Sequence, residues 1–106
     1  MPALNNDATS ALLRALRLNF VNLDFVLEAI RSRSWSSATF AGARHEVEFR
    51  LEGAGAASAA AAFADDLDCT HYPLRGHILA GLALLSRESL VDGVRIRLEA
   101  LTVEDD

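Results

Sequence analysis

The chain has 106 residues, 51% of them hydrophobic and 24% charged, with a formal net charge of −5. That balance fits one globular domain with a single core and excludes a disordered or low-complexity chain. Every one of the ten basic residues is arginine, so Schiff-base chemistry, a pyridoxal phosphate anchor and a P-loop, which all need a lysine amine, are excluded.

The first element in the chain is read as a long helix over residues 7–33, because Leu12, Leu16, Phe20, Leu23, Leu27 and Ile30 advance by three or four residues at each step and so share one helical face. Asp7, Thr9 or Ser10 would cap its start, and a break near Asn19 to Asn22 is the alternative. The period then changes to two: Val47, Phe49 and Leu51 alternate with Glu46, Glu48, Arg50 and Glu52, the pattern of a strand with one wet face. Its partner is read in Ser36 to Ala41, with Gly42-Ala43-Arg44 as the turn.

Gly53-Ala54-Gly55 leads into a second, alanine-rich helix over residues 56–67. Glycines between a strand and a helix raise the question of a dinucleotide phosphate loop. The preceding strand alternates as an antiparallel strand does, the third glycine is replaced by Ser58, and the acids Asp65, Asp66 and Asp68 fall at the end of the helix, before any next strand. A turn and helix start is therefore expected, with no bound cofactor. Residues 65–77 are an irregular connection, with Pro73 and Arg75-Gly76 as breakers. The run Ile78 to Leu85 is apolar at every position, so periodicity does not separate a buried strand from a helix; Gly81 and the Asp-Gly turn that follows favour a strand, with a helix as the alternative. Asp92-Gly93 turns the chain into a last half-wet strand carrying Val94, Ile96 and Leu98. Arg95 and Arg97 on its wet side should face the glutamates of the central strand.

The order helix, strand, strand, helix, strand, strand predicts an α+β two-layer sandwich with both helices on one face of a four-stranded antiparallel sheet. It resembles a circularly permuted ferredoxin-like layout. The hairpins would be residues 36–52 and 77–103, with the second and fourth strands central and the third at an edge. An uncharged apolar edge strand invites pairing with another chain, and the simplest cover is a second copy about a two-fold axis. A homodimer joined through Ile78, Leu79, Leu82, Ala83 and Leu85 is expected.

Chemistry-bearing residues are few. Cys69, His71 and His77 fall within nine residues, and His45 opens the second strand. These are ligand types of a zinc or iron site, although Cys-x-His-x5-His matches no structural zinc spacing. The layout sets His45 and His77 at the starts of two parallel strands about 10 Å apart, so a small-molecule or metal site, with or without catalysis, at that end of the sheet is the alternative to a binding or assembly module without covalent catalysis. Cys69 beside His71 is a weak nucleophile–base pair. The acidic balance argues against a nucleic-acid partner. A lone cysteine, no secretory start and no apolar run of about 18 residues point to a cytoplasmic protein without a membrane partner. Arginine-for-lysine usage and alanine runs suggest a bacterial source.

Overall fold

A computed structural model of the chain describes residues 8–67 and 72–105. It contains α1 (Ala8–Asn19), β1 (Asp24–Ser36), β2 (Ala41–Glu52), α2 (Ala56–Asp65), β3 (His77–Leu90) and β4 (Gly93–Glu104). The strands form one antiparallel sheet in the order β1-β2-β4-β3. As expected, β2 and β4 are central and β3 is an edge. Val47, Phe49 and Leu51 of β2 and Val94, Ile96, Leu98 and Ala100 of β4 join Leu12, Leu16 and Phe20 of the first helical region and Ala56, Ala60 and Phe63 of α2 in one core cluster. Both helices therefore cover the same face. Alanines on the buried side of α2 let that helix approach the sheet closely, with Phe63 as its large anchor.

The long first helix is corrected: it ends at Asn19, and residues 24–36 form β1. The chain turns through Phe20 N–H to Arg17 O and Leu23 N–H to Phe20 O, both 3.1 Å. What disguised the strand is a bulge at Glu28, where the register slips between Leu27 and Ala29. Phe25, Leu27 and Ile30 all pack against the core cluster, yet the extra residue turns a step of two into a step of three, which imitates a helix.

The first hairpin consequently spans residues 24–52 rather than 36–52. Its turn is Ser37 to Phe40, where Ser37 N–H donates to Phe40 O at 2.7 Å and Phe40 N–H to the Ser37 hydroxyl at 3.1 Å. Gly42 lies inside β2, opposite Val103. A Cβ there would come within 2.0 Å of Thr102 O, so the glycine serves close strand approach and not the turn. In the second hairpin the turn is Val91-Asp92, and Gly93 opens β4. α2 begins at Ala56 as read but ends at Asp65.

The sheet face away from the helices is charged, and its register explains how. Arg50 and Arg95 are directly opposite one another, as are Glu46 and Glu99, and like charges so placed destabilise a sheet. The bulged Glu28 resolves the first clash: Arg95 Nε–H donates to it at 2.7 Å and Arg50 Nη1–H at 2.5 Å. Arg95 continues to Glu88 of β3 at 3.0 Å, so one network crosses all four strands. Arg97 to Glu46 (3.4 Å) and Arg44 to Glu99 (3.1 Å) resolve the second.

The hydrogen bond from Arg95, reinforced by Arg50, holds the Glu28 carboxyl below its ordinary value of 4.5. A carboxylate depressed in the fold contributes stability above its unfolded value and loses it as pH falls through the folded one. Glu28→Gln should therefore lower the urea midpoint at pH 7, with the difference from the parent closing below pH 4.5. Midpoints that differ equally at pH 7 and pH 3 would assign the effect to packing.

Candidate functional site

Two of the four suggested metal ligands, Cys69 and His71, lie outside the described residues, and with them the nucleophile–base reading. The other two are well separated. His45 is opposite Ala100 on β4, whereas His77 is opposite Glu104 on the same strand. Four residues along and two strands across place their Cα atoms about 16 Å apart at standard strand spacings, beyond the reach of one ion bound at about 2 Å from each ligand. Among the described residues no three His, Cys, Asp or Glu side chains gather as a metal group.

His45 is wholly buried on the helix-side face. Its Nδ1 is 2.7 Å from Ser32 Oγ and its Nε2 is 2.9 Å from Thr102 Oγ1. The Thr102 hydroxyl spends its hydrogen on Ala43 O at 3.3 Å, so it accepts from His45 Nε2–H. In the neutral ring Nδ1 is then the acceptor for the Ser32 hydroxyl. Thr9 of α1 reaches Ser32 at 2.9 Å. The chain Thr9–Ser32–His45–Thr102 thus ties α1 to β1, β2 and β4. The sequence carries no signal for this chain: its periodicity places Ser32 in a helix, Thr9 is only a helix-cap candidate, and Thr102 sits among apolar neighbours. His45→Ala should cost about 2–4 kcal/mol in urea unfolding, from a cavity and a broken hydrogen-bond chain. A cost under about 0.5 kcal/mol would show the chain to be ornamental.

His77 heads the edge strand, and its Nδ1–H donates to Arg75 O at 3.1 Å. At the glycine turn, Gly53 and Gly55 have φ values of 123° and 89°. Both lie in the region that favours glycine, which accounts for their spacing without a phosphate. Gly55 O accepts Ala59 N–H at 2.9 Å, opening α2.

The five suggested interface residues divide by face. Register slips at Ala80 and Leu85 re-phase β3 twice. Leu79 and Leu82 pack against the core cluster together with Leu84. Ile78 and Leu85 are 51% and 43% exposed, and Ala80 and Ala83 are exposed beside them. The bulges explain a strand that is apolar at every position: inward residues follow a 79, 82, 84 rhythm, and what remains on the outside is still free of charge until Arg87. No helix among the described residues is long and apolar enough to cross a membrane. No protein-family model, curated protein or solved structure matches this chain.

Proposed function

We propose that the protein is a homodimeric binding or assembly module without covalent catalysis of its own, whose protomers join along β3. One contrast supports this reading. The two edges of the sheet differ in charge: β1 carries Arg31 and Arg33 along its exposed half, side chains that blunt an edge against pairing. The half of β3 from His77 to Ser86 has no acid and no arginine. It offers the backbone of an edge strand together with Ile78, Ala83 and Leu85. Two antiparallel copies of β3 related by a two-fold axis would form an isologous contact and one continuous eight-stranded sheet. Cys69 as the lone cysteine suits a reducing, cytoplasmic setting for such a module.

The test is the mass in solution. Light scattering on the full chain at micromolar concentration should return twice the chain mass. A single-chain mass at every concentration accessible to the method would reject the dimer.

A further inference from the structure

On the helix side, α1 and the segment before β3 enclose an open groove of about 290 Å³, lined by Arg14, Leu18 and Asn19 on α1 and by Tyr72, Pro73 and Arg75 across from it, with Ala11 and Ala15 forming its floor. Three features converge there that the fold itself does not require. Leu18 is 67% exposed at the rim. Arg14 and Arg75 both line the groove and form no ion pair among the described residues, as Arg17, Arg31, Arg33 and Arg87 form none elsewhere. The Tyr72 hydroxyl is sealed from solvent without a hydrogen-bond partner. A buried orphan hydroxyl is costly and calls for an explanation. The burial also pushes the Tyr72 phenol up to about 12, so it remains a donor at any physiological pH.

Among the described residues no acidic side chain lines the groove, although the chain as a whole carries −5. Two guanidiniums without an ion-pair partner above an apolar floor match one ligand chemistry: an oxyanion head, carboxylate or phosphate, on a small apolar body. Guanidinium groups recognise such heads through paired N–H donors, and the volume suits a ligand at the small end of the range for bound organic molecules. From this convergence we infer that the groove between α1 and residues 72–75 is a binding site for a small amphiphilic anion, with Arg14 and Arg75 holding the head and Leu18 and Pro73 the body. The inference does not depend on the dimer, since none of these residues belongs to β3.

The test is a titration of the full chain, labelled with nitrogen-15, with phenyl phosphate, benzoate and neutral benzyl alcohol. Saturable amide shifts confined to residues 11–19 and 72–76 are expected with at least one of the two anions, and none with the alcohol. Saturation by phenyl phosphate alone assigns a phosphate head, by benzoate alone a carboxylate, and either supports the site. Both arginines are exposed, so the double variant R14Q/R75Q should keep the parent spectrum while weakening binding by about tenfold or more. The single variant R75Q should do so by a smaller factor. Failure of both anions to give saturable shifts up to about 10 mM, or undiminished binding by the double variant, overturns the proposal.

Discussion

Replacing Ile78 and Leu85 together by lysine should raise the dissociation constant of the proposed dimer by about 100-fold or more, which corresponds to roughly 2.7 kcal/mol. Both side chains are about half exposed in the single chain, so their replacement removes little from the core. In an antiparallel pairing of β3 with its copy, the same substitutions bring like charges toward the two-fold axis and force ammonium groups out of water. This is how natural edge strands are kept apart. The matching control is Arg31→Lys with Arg33→Lys on β1, which keeps the charge of the opposite edge and should leave the mass unchanged. Light scattering across a dilution series reads both. A variant that stays dimeric at the parent's affinity would move the interface away from β3.

Phe49→Ala should reduce stability by about 3–5 kcal/mol, the cost of emptying a buried aromatic site. Phe49 is fully buried at the centre of β2. Its ring stacks on Phe25 of β1 at 4.6 Å between centroids and meets Phe20, at the end of the α1 region, at 5.9 Å. Phe20 in turn meets Phe63 of α2 at 5.3 Å. One ring therefore touches the groups that hold α1, β1 and α2 together. Because domains of this size are stable by only about 5–15 kcal/mol in total, the loss should be visible as a large drop in urea midpoint. It must be read at one fixed chain concentration, since the proposed dimerisation would contribute to apparent stability. A loss below about 1 kcal/mol would mean that the aromatic cluster is not the centre of the core.

The architecture was legible in the sequence wherever side-chain period survived intact. β2 and β4 alternate without interruption, so Val47, Phe49 and Leu51 and their counterparts Val94, Ile96 and Leu98 mark both as half-wet strands, and the order of the elements then places them at the centre of the sheet. α2 was legible from its composition and its glycine turn. β1 was not, and the cause is the single residue Glu28. Its bulge stretches Leu27 to Ile30 into a helical-looking step, and the leucine spacing of α1 runs straight into it. The same device in β3 did less harm, because Gly81 and the Asp-Gly turn favoured a strand whatever the phase of the run. There the bulges decided instead which residues face out, placing Leu79 and Leu82 against the core and leaving Ile78, Ala83 and Leu85 at the surface.

Sites were less legible than the fold. His45 announced itself as a chemically capable residue, but its role depends on Ser32, Thr102 and Thr9, which lie 13, 57 and 36 positions away and carry no pattern of their own. The groove of Arg14, Tyr72 and Arg75 joins one helix face to a connection far along the chain, and only the tertiary structure juxtaposes them. The network from Glu28 to Arg50, Arg95 and Glu88 was half visible. The central charges were expected to pair across β2 and β4, but the bulged carboxylate that reconciles Arg50 with Arg95 was assigned to a helix.

Hydrogen exchange on the intact chain, followed amide by amide over a range of concentrations, tests the role of β3 most directly. At concentrations that favour dimer, the outward-facing amides between His77 and Ser86 should be protected comparably to those of β4. On dilution they should become fast, while the free edge amides of β1 exchange rapidly throughout. Fast exchange along β3 at every concentration, or concentration-dependent protection on β1 instead, would contradict a dimer built on that strand.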